Sequence, residues 1–138
     1  MDEQFNKECL DEHNRVRSLH GCPPLELDPE LATQAQAHSD KMAAKGAMHH
    51  CPGRGHGENL CMREGNQPGE INGNFSQIVW KNTKRAGFGR TITEGGRKIF
   101  IAAYYSPCGN ITGQFVENVP PPISGQLYIP SDAEKGWQ

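Results

Sequence analysis

Three imidazoles, two thiols and a carboxylate fall within thirteen residues: His49, His50, Cys51, His56, Glu58 and Cys61. Neutral imidazole, thiolate and carboxylate are the donors that zinc and other borderline metals take, so a divalent-metal site is one chemistry open to this stretch. The spacing matches no standard zinc module, and such a ligand set needs rigid support at both ends. Pairing His50 with Cys51 or Cys61 is a second chemistry, a thiolate nucleophile beside a base. The plainer expectation is that the histidines belong to a loop and the thiols to the interior.

The elements that must hold these groups are legible around them. Phe5, Cys9, His13, Val16 and His20 recur at helical spacing, which predicts a helix over Gln4 to Leu19 that Gly21 and Pro23-Pro24 end. Asp28 is a good N-cap with Pro29 at the first helical position, and Leu31, Ala35, His38 and Met42 form a stripe that stops at Gly46. His13 and His38 lie on those apolar stripes and read as core histidines. His49 to Gly57 is a loop by composition, and Phe75 to Trp80 suits a strand or a short helix. Gly87 to Thr93 alternates, with Phe88 and Ile92 either side of Arg90, and Lys98 to Tyr105 is nearly continuous in apolar residues, as in a strand covered on both faces. Gly95-Gly96 between them reads as a two-residue hairpin loop. Residues 123–138 mix Ser, Gly, Pro and charge with Leu127, Tyr128, Ile129 and Trp137, and read as a loosely ordered tail behind one domain of residues 1–122.

A chain of 138 residues suffices for one core. Fourteen Lys and Arg face sixteen Asp and Glu with no basic block, so no nucleic-acid footprint is expected. The longest apolar stretch, Ile99 to Tyr105, is far short of a membrane span of about 20 residues. Met1-Asp2-Glu3-Gln4 is acidic and holds no apolar leader, and Asp2 is not the glycine that N-myristoylation requires. The expected location is therefore cytoplasmic or peripheral to endomembranes, or extracellular if a native leader has been removed. The five cysteines, Cys9, Cys22, Cys51, Cys61 and Cys108, cannot all pair with one another, and most are expected reduced and buried.

Five segments in order resemble the CAP superfamily of cysteine-rich secretory, antigen 5 and pathogenesis-related proteins, and most resemble its Golgi-associated plant pathogenesis-related branch. They are His13-Asn14-Arg15-Val16-Arg17 with Gly21-Cys22-Pro23-Pro24-Leu25; Gly57-Glu58-Asn59-Leu60; Gly73-Asn74-Phe75-Ser76-Gln77-Ile78-Val79-Trp80-Lys81-Asn82-Thr83; Ala103-Tyr104-Tyr105-Ser106-Pro107-Cys108-Gly109-Asn110; and Glu117-Asn118-Val119-Pro120-Pro121. The resemblance covers Phe5 to Pro122 and implies an α+β fold, a three-layer α-β-α sandwich around a small antiparallel sheet, and a helix for Phe75 to Trp80. It also implies a cleft of two histidines and two glutamates that binds divalent metal in some members. Carried over by motif, these are His50 and Glu58, with Asn74 where the family has its second histidine. The second glutamate has no assigned position; Glu64 and Glu70 are the nearest carboxylates. The family's segment between the Gly-Glu-Asn motif and the next signature is longer than Cys61 to Asn72, so one cleft helix is expected to be missing.

Asparagine's neutral amide oxygen is a poor zinc ligand, so the cleft residues His50, Glu58 and Asn74 are expected to make polar contacts without a cofactor; were zinc bound, His50, with Glu58, would hold it. A serine that has been proposed for the Golgi-associated branch's hydrolytic triad falls at Glu64 here. The leading expectation is a non-enzymatic binding module for lipid, sterol, an anionic membrane surface or a protein, with Lys81, Lys84, Arg85, Arg90, Arg97 and Lys98 as the cations available to head groups. The alternatives are a divalent-metal-dependent hydrolase or protease using His50 and Glu58, and an inactive homodimer that associates through the surface exposed by the short segment.

Overall fold

The computed structural model describes residues 2–50, 55–64, 74–93, 95 and 98–123. Helix α1 (Glu3–Leu19) starts at Asp2, whose side chain accepts from the Phe5 amide. Strand β1 (Glu26–Leu27) follows, then α2 (Pro29–Lys45). The ends of α2 are those its sequence predicts: Asp28 Oδ1 accepts from the amides of Glu30 and Leu31, and Gly46 closes the helix at φ 71°. Next come β2 (Gly57–Glu64), α3 (Asn74–Ile78), β3 (Arg85–Thr93), β4 (Lys98–Ser106) and the one-turn α4 (Phe115–Asn118). Phe75 to Trp80 thus resolves as a short helix and its exit.

The sheet order is β1-β3-β4-β2. The three long strands are antiparallel as expected, but β1 joins β3 in parallel through Glu26 and Leu27, so the sheet is mixed. The hairpin also differs from expectation. The last β3–β4 pair is Thr93 with Lys98, so the connection takes four residues, of which Gly95 alone is described, at φ 66°. Gly96 and Arg97, like Cys51, Glu70 and residues 124–138, lie outside the described residues.

Each face of the sheet carries one apolar cluster. Leu60, Phe100, Ala102 and Tyr104 meet Leu31, Ala35 and Met42 of α2. Cys61, Ala86, Phe88, Ala103 and Tyr105 meet Phe5 and Leu25 on the α1 side. A third cluster of Val16, Cys22, Ile78 and Val79 ties the end of α1 to α3. Helix α2 lies unusually close to β3: a Cβ on Gly87 would overlap the backbone of Ala32, and one on Gly89 the backbone of Gln36. The strand–helix contact exists because those two positions have no side chain.

Beyond the two residues of β1, the edge of β3 is closed by side chains. Asn6 Nδ2 donates to Phe88 O at 2.9 Å while Phe88 N donates to Asn6 Oδ1 at 2.8 Å. Gln36 does the same to Arg90, at 2.9 and 3.0 Å. Both residues are thereby paired in the manner of a ladder, and the strand presents no bare edge there.

Arg17 is buried among backbone oxygens. Its guanidinium donates to the carbonyls of Pro23, Ile78, Trp80 and Thr83 at 2.7, 2.9, 2.9 and 3.1 Å. One side chain of α1 thus fixes the path of residues 78–83, and burial lowers its pKa from the usual arginine value.

Candidate cleft site

Glu58 and Tyr104 are register partners on β2 and β4, on the sheet face that α2 covers. The Glu58 side chain is fully buried there. An unpaired carboxylate in such a place is costly, and two imidazoles flank this one. His50 Nδ1 lies 2.6 Å from Glu58 Oε1, with the His50 side chain 62% exposed. His38 Nε2 lies 3.7 Å from Glu58 Oε2. His38 Nε2 is also 2.7 Å from the His49 carbonyl; a carbonyl only accepts, so that nitrogen carries the proton. The His38 and His49 rings meet edge to face at 5.0 Å, and His56 rests against Tyr104 at 4.1 Å.

Two of the three expected cleft residues are therefore together, and His49 and His56 join them. Asn74 opens α3; its backbone is described and its side chain is not. Cys61 leaves the group: it packs in the α1-side cluster, because adjacent strand residues point to opposite faces. His38, expected to be a core histidine, is buried but belongs to this cluster. Its sequence position on an apolar stripe carries no sign of that, since the pairing depends on where β2 runs beneath α2.

The family's metal can be tested against these donors. His50 and Glu58 supply two, and they are bonded to each other. Among the described residues no group of three His, Cys, Asp or Glu is arranged to hold a metal ion. This donor set does not fit a closed or catalytic zinc site, which needs at least three protein ligands. What the pair can do chemically is narrower. A carboxylate bonded to Nδ1 fixes the tautomer and orientation of the His50 ring, as in a general-base dyad. Among the described residues, no hydroxyl or thiol is hydrogen-bonded to His50.

The opposite face holds another buried histidine, His13, held by packing and hydrogen bonds. His13 Nδ1 donates to the Cys9 carbonyl at 2.8 Å, so Nε2 accepts from the Tyr105 hydroxyl at 2.6 Å, and Asn59 donates to that hydroxyl at 3.1 Å. The chain of donors works only with a neutral ring. Burial pushes the His13 pKa down to about 4 and holds that of Tyr105 well above the usual phenol value. Cys9, Cys22, Cys61 and Cys108 are free thiols; Cys22 and Cys61 are buried, Cys9 is half-buried and Cys108 is exposed. Burial raises Cys9 to about 12 and Cys61 to about 11.

Three of the motif segments meet at Gln77. Its Oε1 accepts from the Gly109 amide at 2.9 Å and its Nε2 donates to Thr83 at 3.0 Å. A Cβ on Gly57 or Gly109 would overlap the Gln77 side chain. The glycine before Glu58 is thus required by the glutamine of α3, and this contact sets where β2 begins and so where Glu58 stands.

Comparison with known proteins agrees with this fold. The family model described as "Cysteine-rich secretory protein family" matches residues 10–70. The chain is 37% identical to Golgi-associated plant pathogenesis-related protein 1 of Homo sapiens, over 86% of this chain and 94% of that protein. That alignment runs over 146 positions, longer than the whole chain of 138 residues, so the human protein holds a stretch with no counterpart here. Pathogenesis-related protein 1C of Nicotiana tabacum is 28% identical over 76% of each chain. Among solved structures, that of NaASP2 with Zn2+ superposes with a TM-score of 0.66 at 18% identity, covering 88% of this chain and 89% of that one, a likeness of fold. Several matched proteins are named as pathogenesis-related, Golgi-associated or secreted, and no helix among the described residues is long and apolar enough to cross a membrane. By its motifs, its sandwich and its identity to these relatives, the chain belongs to the CAP family, the cysteine-rich secretory protein family.

Proposed function

We propose that this chain is a non-enzymatic binding module that meets an anionic lipid surface through the end of the molecule around α4. The observation that carries the reading is a set of apolar side chains left in solvent beside a basic turn. Val116 is 92% exposed, and Phe115 and Ile111 are exposed in part, at 42% and 39%. The amides of Lys81 and Asn82 donate to the backbone and side-chain oxygens of Asn118, which seats that turn against the end of α4. Lys81 and Lys84 are exposed and form no ion pair among the described residues. Apolar side chains flanked by lysines suit the boundary between acyl chains and anionic head groups. The other expected cations contribute less: Arg85 is paired with Asp28 at 3.2 Å, and Arg90 with Asp2 at 3.3 Å while covering the Phe5 ring.

The test is co-sedimentation with vesicles of phosphatidylserine and phosphatidylcholine, with and without chelator. Binding should require the anionic lipid, ignore the chelator, and fall in Val116→Asp and Lys81→Glu. Equal binding to pure phosphatidylcholine, or none to either, would overturn the lipid reading. Chelator-sensitive hydrolysis lost in His50→Ala would favour the hydrolase instead.

A further inference from the structure

Trp80 is wholly buried, and its indole Nε1 has no hydrogen-bond partner among the described residues. Indole nitrogen only donates, and a buried Trp N–H normally finds an acceptor. The Phe115 ring stands at 89° to the indole with centroids 5.1 Å apart, and a π face is a weaker acceptor than an oxygen. The unmet donor thus lies beside a side chain of the apolar patch at α4. The frame around it is fixed. Asn118 accepts from the Lys81 and Asn82 amides, and its Nδ2 donates to the Gln114 carbonyl at 3.0 Å, so α4 stays seated while the Phe115 side chain, part exposed, has solvent to turn into. Lys81 follows Trp80 directly in the chain and is exposed. An indole beside a cation suits the boundary between charged head groups and acyl chains, where amphipathic rings collect.

We propose that Trp80 and Phe115 form a subsite for one phospholipid molecule. The Phe115 side chain turns outward among the acyl chains, and the uncovered Nε1–H donates to an ester carbonyl of the lipid whose head group meets Lys81. This inference rests on the lipid reading above and adds to it the group on the lipid that the chain recognises. In the free chain the buried donor is left unmet at a cost in stability, and the ester oxygen meets it.

The experiment uses the whole chain with Trp137→Phe, which leaves Trp80 as its one tryptophan. The probes are vesicles of phosphatidylserine and phosphatidylcholine with either ester-linked or ether-linked chains. The ether lipids keep the charge and the chains and lack the carbonyls. Sedimentation should be about fivefold weaker with the ether vesicles, the worth of one hydrogen bond. Ester lipids brominated high on the acyl chain should quench Trp80 fluorescence. Incorporation of β-(3-benzothienyl)alanine at position 80, which puts sulfur in place of N–H in a ring of the same shape, should abolish the preference for ester lipids. Equal affinity for the two kinds of vesicle, a preference that survives in the sulfur analogue, or Trp80 emission that bromine leaves unchanged while the chain sediments, would each overturn the subsite and leave the lipid surface standing. No sedimentation with either kind would overturn both.

Discussion

Glu58 and His50 share a 2.6 Å hydrogen bond although one side chain is wholly buried and the other 62% exposed. The bond joins the interior of the sheet to solvent, and it occupies the histidine nitrogen nearest the carboxylate. Replacing His50 with Ala takes one hydrogen bond from a buried carboxylate. The expected loss is about 1–2 kcal/mol in urea unfolding, the lower part of the range for charged hydrogen bonds because His50 is solvated.

The same pair predicts indifference to zinc. A ligand that binds only the native state raises the melting temperature. With two donors, bonded to each other, the melt should superpose in chelator and in excess zinc. An upward shift with zinc would mean that residues outside those described complete a site.

Arg17→Met should be severe. It takes a donor from four carbonyls at once, three of them on the buried residues Ile78, Trp80 and Thr83, each buried group left unsatisfied worth about 1–3 kcal/mol. The chain is expected to lose most of its stability, and Arg17→Lys to recover little of it, since an ammonium cannot span the same four oxygens. Chemical unfolding of both variants tests this.

Gly89→Ala should cost about 3 kcal/mol, because the added methyl meets the backbone of Gln36 rather than a movable side chain. The expected measurement is a lower midpoint in urea with an unchanged slope. Gly95→Ala, with nothing within 4 Å of its Cβ, reports only the strain of its φ of 66° and should cost less.

Acid should weaken the fold through His13. Its pKa is about 4 in the folded chain against 6.5 for a free histidine. Between those values the unfolded chain takes up a proton that the native state refuses, so this contribution is whole above pH 6.5 and is lost as pH falls toward 4. At about 1.4 kcal/mol per unit, the loss is on the order of 3 kcal/mol. Stability against pH should show that slope, and His13→Gln should flatten it.

The sequence carried the ends of α2 in full, because Asp28, Pro29 and Gly46 act through their own backbone. It carried β4, whose residues alternate between two covered faces and are apolar on both. It did not carry β2 as a strand: a buried Glu58 and the polar Asn59 break the pattern that marks one. His50 and Glu58 were legible only as motif positions. His38, Asn6, Gln36 and Arg17 were not, since the His49, Phe88, Arg90 and Ile78 carbonyls that they reach lie eleven or more residues away and only the folded chain brings them near.

A side-chain amide carries the same donor and acceptor as a peptide group. Asn6 and Gln36 therefore act as two detached links of a strand that the chain never builds, one supplied from each helix layer. Hydrolysis of either amide to its acid would set an oxygen against the carbonyl of Phe88 or Arg90 and reverse the contact from attraction to repulsion. Ageing chemistry at one atom would then turn a finished border of the sheet into a template for another chain's strand.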